Sequence, residues 1–206
     1  MKRWLAVALL AVACSSIPEP QEPEANAGRL NAFDATIVLL DQSDSYAMCS
    51  GEFVTPELIA TAAHCVDNVE EAKPGDGFSY LTLESMGSGD LTPNVALLFA
   101  VDRKLDIAVL RALEPHRAFV SIVDVPGPGA SVHALGHPKG ALYKESHGML
   151  LMQHGEVISA LVSLNQGCSG GGLYDADYHL IGIAVRMYAG GNVGEFVSAS
   201  ELLRLL

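Results

Sequence analysis

Hydrophobic residues gather along this chain in short blocks, at positions 36–40, 58–62, 95–100, 107–110, 132–135, 149–152, 157–162 and 180–185, with turn-forming residues between them. Blocks of four to six residues are too short for helices and have the length of β-strands. Many such strands predict an all-β protein. Helical spacing is confined to residues 199–206, where Leu202, Leu203, Leu205 and Leu206 form a stripe that can pack on a sheet. Pro126-Gly127-Pro128-Gly129 breaks the pattern near the middle and marks the expected boundary between two halves, with no internal repeat across it.

The N-terminus follows a different rule. Met1-Lys2-Arg3 and then ten apolar residues ending in Ala11-Val12-Ala13 form a signal-peptide pattern with a small-residue cleavage site. Ten apolar residues cannot span a bilayer. Leu10-Ala11-Val12-Ala13-Cys14 resembles a bacterial lipobox, in which Cys14 is acylated, although Ala11 stands where Leu is usual. Residues 15–27 hold three Pro and three Glu and too little apolar surface to fold, so they are expected to form an extended tether. The expected organisation is a signal peptide at 1–13, a tether at 14–31, and two folded halves at 32–122 and 123–206.

The formal charge of −12 becomes −14 once Lys2 and Arg3 leave with the signal peptide. Such acidity repels phosphate backbones and excludes nucleic acid as a partner. The chain is expected to be exported to the bacterial envelope or secreted, touching a membrane only through an anchor at Cys14. About 180 residues remain for folding, enough for a substantial core.

Three segments carry the chemistry: Ala60-Thr61-Ala62-Ala63-His64-Cys65, then Leu105-Asp106-Ile107-Ala108-Val109-Leu110, then Gly167-Cys168-Ser169-Gly170-Gly171. A serine hydroxyl is a poor nucleophile until a neighbouring base takes its proton, so Ser169 needs His64. Asp106 opens an apolar run, where a carboxylate is costly unless paired, and imidazole is its natural partner. Asp102 is a rival acid, expected to be solvated because the apolar run begins only after Asp106. The glycine-rich segment is not a nucleotide loop, since no Gly-Lys-Ser/Thr follows. Cys49 and Cys65, 16 residues apart in an exported chain, are expected to pair and to anchor the turn carrying His64.

His133 and His137 have the four-residue offset of a zinc motif, but Gly136 and Pro138 oppose a helix and no Glu follows His133. His147, His154 and His179 show no partners in the sequence. No metal and no organic cofactor is expected.

The three segments together resemble the signatures of the trypsin-like, chymotrypsin-fold serine peptidases, over roughly residues 35–200. The order His, Asp, Ser is the chymotrypsin one. Ala134-Leu135-Gly136-His137-Pro138-Lys139-Gly140 and Leu180-Ile181-Gly182-Ile183 resemble the bacterial Deg/HtrA-type protease domain, here without a PDZ domain. The resemblance implies two antiparallel six-stranded β-barrels, a short C-terminal helix, and a catalytic triad of His64, Asp106 and Ser169 in the cleft between them. It implies an oxyanion hole from the N–H groups of Gly167 and Ser169, and a specificity pocket with Ser163 at its base and Ala184, Val185, Arg186 and Met187 at its edge. An uncharged base favours small to medium apolar residues, with an acidic residue recruited by Arg186 as the alternative.

The expected function is an exported serine endopeptidase acting on protein or peptide through an acyl-enzyme. The alternatives are a catalytically silent binding protein on the same fold and an esterase using the same triad. Three departures from the family stand out. Cys168 replaces the Asp or Asn before the nucleophile, Gly172 replaces the usual Pro, and no basic residue precedes an Ile-Val-Gly-Gly start. A Cys168 nucleophile, with Ser169 an ordinary loop residue, is the competing assignment.

Overall fold

A computed structural model of the protein describes residues 25–41, 47–67, 71–89, 91–138, 143–188, 190 and 192–206. The expected signal peptide at 1–13 and Cys14 lie outside these residues. Among those described, twelve strands close into two antiparallel barrels. The first holds β1 (Thr36–Leu40), β2 (Ala47–Phe53), β3 (Leu58–Ala62), β4 (Gly77–Leu81), β5 (Asn94–Asp102) and β6 (Ile107–Ala112), in the order β1-β2-β3-β6-β5-β4. The second holds β7 (Ser131–Gly136), β8 (Lys144–His154), β9 (Val157–Leu161), β10 (Gly172–Tyr174), β11 (Leu180–Met187) and β12 (Gly194–Ser198), in the order β10-β11-β12-β9-β8-β7. Closure leaves no unpaired sheet edge, which is how short strands become a stable body.

Each barrel is filled by the apolar blocks. Ile37, Leu39, Phe53, Ile59, Leu98 and Leu110 lie fully inside the first, and Leu150, Ile158, Ile181 and Phe196 inside the second. The first core does not stop at its own barrel: it runs on through Leu135, Tyr174, Leu180, Ile183 and Val197. The facing walls of the two barrels are therefore one apolar mass, which fixes the cleft between them.

Four strands were not legible as apolar blocks: β2, β4, β10 and β12. In β2, Ser50 and Glu52 are polar yet fully buried, and β10 has three residues. The connection between barrels carries the Pro126 to Gly129 break, where Gly129 takes φ 87° and Ala130 N–H donates to Gly127 O.

The N-terminal segment differs from expectation. Ala25–Ala35 is a helix, α1, so the last residues of the expected tether are folded. Tertiary contacts override a composition that alone cannot fold. Arg29 donates twice to Glu145 (3.0 and 2.7 Å), Phe33 packs on Tyr143, and Ala32 and Ala35 are buried. Two further short helices, α2 (Ala63–Val66) and α3 (Leu83–Ser88), were also unforeseen. The C-terminal element is a 3-10 helix, Ala199–Arg204. Its three-residue period puts Leu202 in the core with Leu205 packed against it, and leaves Leu203 exposed, which splits the anticipated stripe.

Candidate active site

His64 sits in α2, directly after β3, and the Cys49–Cys65 disulfide ties this turn to β2. Closing a loop of that length stabilises the fold by about 3 kcal/mol in the chain-entropy account. Asp106 lies in the β5–β6 turn with φ 60°, a left-handed backbone that Asp tolerates better than most residues. That turn brings its carboxylate against His64: Oδ1 accepts the His64 backbone N–H (2.9 Å) and Oδ2 lies 2.8 Å from Nδ1. The Asp106 carbonyl accepts the Ala63 N–H at 3.0 Å as well. Asp102 has a different task, because its Oδ1 accepts the N–H groups of Lys104 and Leu105 and closes the turn that presents Asp106.

Arg103 braces the same turn from outside. Its guanidinium donates to both oxygens of Asp67 (2.7 and 2.9 Å) and to Ala72 O (2.6 Å). Asp67 is the C-cap of α2, so this bidentate pair links the Asp106 turn to the end of the His64 helix. The Arg103 hydrogen bonds hold the Asp67 carboxyl below its ordinary range.

The loop 167–171 needs glycine at defined points. Gly167 and Gly170 have φ 98° and 81°, and a Cβ on Gly170 would lie 2.1 Å from Ser50 O. The loop is pinned by Cys168 N–H to Asn165 O, Gly170 N–H to Ala184 O and Gly171 N–H to Cys168 O. Ser50, fully buried on β2, holds it from the first barrel: its N–H donates to Ser169 O (2.7 Å) and its hydroxyl to Gly167 O (2.9 Å). The Ser50 hydroxyl in turn accepts the His137 N–H at 2.9 Å. Among the described residues, no hydrogen bond takes up the N–H of Gly167 or of Ser169.

Ser169 opens onto a cavity of about 250 Å³. One wall is Leu164, Asn165, Gln166 and Cys168, and the other is Ala184, Val185, Arg186 and Met187. Of the five residues expected to form the pocket, these last four line it. Ser163 does not. Its backbone N–H donates to Ser146 Oγ on β8 (2.7 Å), and Leu164 lines the cavity instead. Among the described residues lining the cavity Arg186 is the only charged one, and its exposed guanidinium lies 3.4 Å from Glu195.

Cys168 is a free, buried thiol packed against Gly136, and burial pushes its pKa up. A protonated buried thiol behaves as a small apolar side chain. His137 lies inside the protein against Tyr143, and burial lowers its pKa to about 4. It is therefore not placed with His133, which instead meets His147. His179 pairs with Asp175 at 3.2 Å.

Glu52 was missed by the sequence reading, because β2 (AMCSGEF) does not read as an apolar block and its carboxylate carries no local sign of burial. It lies wholly buried between the barrels. Oε1 accepts the Gly172 N–H (2.7 Å), and Oε2 accepts the Tyr174 hydroxyl (2.6 Å). Thr36 Oγ1 is 2.9 Å from Oε2 and 2.8 Å from Ala32 O, and its single proton serves only one of them. A protonated Glu52 satisfies the whole set, because its own proton then goes to Thr36. Burial drives the Glu52 pKa up to about 8, in keeping with that count. Gly172, the departure from the family's Pro, supplies an N–H that proline lacks.

Paired barrels with a His–Asp couple and a glycine-framed serine in the cleft define a peptidase of the chymotrypsin architecture. The trypsin-like peptidase domain matches residues 49–183, and the chain belongs to that family of serine endopeptidases. Its fold is similar to the Rv3671c protease of M. tuberculosis in its active form, with a TM-score of 0.68 at 19% identity over 100% of this chain and 92% of that one. It is also similar to the serine endoprotease of Yersinia pestis, with a TM-score of 0.74 at 21% identity over 87% of this chain and 64% of that one. No curated protein sequence matches the chain.

Proposed function

We propose that the protein is an exported endopeptidase that cleaves peptide bonds through an acyl-enzyme on Ser169. The observation that carries this reading is the His64–Asp106 couple: with Nδ1–H donated to Asp106 Oδ2, the free Nε2 is left as the base for a serine. Asp106 orients the imidazole and stabilises the imidazolium without taking the proton. The N–H groups of Gly167 and Ser169 receive the oxyanion, a role in which losing one donor typically costs about 3–4 kcal/mol. Covalent labelling by a fluorophosphonate tests the assignment. Label on Ser169 supports it, and absence of label with an intact fold points to a silent binding protein. A peptide library set against an ester panel separates peptidase from esterase. The disulfide suits an oxidising compartment, and export through the signal peptide accounts for it.

The pocket should accept a small or medium apolar side chain on the acyl side of the cut. Glu195 already offsets Arg186, and no other charge lines the cavity among the described residues. Library cleavage after apolar residues, unchanged by Arg186→Ala, is the expected profile. Dominant cleavage after Arg or Lys would overturn it, and an acidic preference lost in Arg186→Ala would support the alternative.

Cys168→Ala is expected to keep most of the activity, because the thiol serves as packing. An inactive Cys168→Ala protein alongside an active Ser169→Ala protein would reverse the nucleophile assignment.

A further inference from the structure

On the outer face of the second barrel, the register of β7 and β8 sets His133 directly opposite His147. Glu145 lies two residues before His147 on β8, so the period of two brings all three side chains to one face of the hairpin. His133 Nδ1 is 2.8 Å from His147 Nδ1 and 3.5 Å from Glu145 Oε1, and His147 Nε2 is 3.7 Å from Glu145 Oε2. The His133 and Glu145 side chains are 16% and 9% exposed, whereas that of His147 is 65% exposed. Two donors are thus fixed in the wall and the third stands at an open rim.

We propose that His133, Glu145 and His147 bind a divalent transition-metal ion of the Zn²⁺ class, outside the catalytic cleft. Two imidazoles and a carboxylate are a donor set that suits zinc. Zinc–ligand bonds of about 2.0–2.2 Å in tetrahedral geometry place donor atoms about 3.3–3.5 Å apart. One donor atom from each of the three residues lies within 4.8 Å of the others, so side-chain movements that bring together one nitrogen of each histidine and one oxygen of Glu145 complete the site.

The surroundings support the donors as an outer shell does. Arg29 donates twice to Glu145 Oε2, and the Tyr178 hydroxyl donates to Oε1, which together set the carboxylate plane. The Tyr178 ring stacks on His133 at 4.5 Å and 17°, and Tyr178 holds φ 63° to do so, a costly backbone for a bulky residue. The Arg29 charge opposes the cation, so binding is weaker than in a closed structural site.

Calorimetric titration of ZnCl₂ into the full chain tests this, carried in Ser169→Ala to prevent self-digestion and monitored in parallel by Tm. One equivalent should bind and raise Tm. His133→Ala and His147→Ala should each weaken binding by at least about 10-fold and abolish the Tm rise. His147 is exposed, so its variant keeps the fold even if that of His133 does not. Co²⁺ should give a low-coordinate visible spectrum in the parent protein and not in His147→Ala. No binding of Zn²⁺ by the parent, binding untouched in His147→Ala, or binding lost instead in His179→Ala would overturn the site. The readouts do not involve proteolysis, so failure here leaves the serine chemistry unaffected.

Discussion

Ser169→Ala is expected to lower peptide turnover by about 10⁴–10⁶-fold with the fold intact, since residues of a triad act as a unit. The side chain removed takes no part in holding the loop. Ser50, Ala184 and Asn165 hold it through the main-chain groups of residues 168–170 and the Gly167 carbonyl. Alanine leaves all of these in place, and so leaves the N–H groups of Gly167 and Ser169 where they are. Residual hydrolysis above the background rate would come from that oxyanion site alone. Steady-state kinetics on a good library substrate measures the effect, and undiminished turnover would remove Ser169 from the mechanism.

The second large effect concerns stability. Glu52 is expected to make wild-type protein lose several kcal/mol, on the order of 3–5, between about pH 5 and pH 8.5 relative to Glu52→Gln. The folded pKa of about 8 lies above the ordinary value of 4.5, so the folded state holds a proton that the unfolded state has released. The contribution is fully present below pH 4.5 and is lost as pH rises through 8. Glutamine keeps an acceptor for Gly172 N–H and a donor for Thr36 but cannot ionise. Chemical denaturation of both proteins across this range isolates Glu52, because every other titration cancels in the difference. Parallel curves would mean that Glu52 is charged in the folded protein.

Most of the barrel architecture was legible because alternating apolar blocks and turns encode strands one at a time. β1 and β3 coincide with their blocks, whereas β2 escaped notice because its buried positions include Ser50 and Glu52. Those polar groups make sense only against the loop 117 to 122 residues downstream that they bond. Helix α1 was hidden for the same reason, since its anchors Glu145 and Tyr143 lie more than a hundred positions away. His64, Asp106 and Ser169 were picked out by local signatures, while their braces, Arg103 and Ser50, carry no local mark. The pairing of His133 with His147 depends on strand register, which spacing along the chain does not reveal.

The bond from Gly172 to Glu52 also restricts what can stand at position 172. Proline at 172 would delete the donated N–H, and its Cβ would fall 2.5 Å from the Tyr174 ring. Proline there would leave the buried Glu52 carboxyl to the Tyr174 hydroxyl and Thr36 alone, so the choice of residue at 172 is also a choice about the acid at 52.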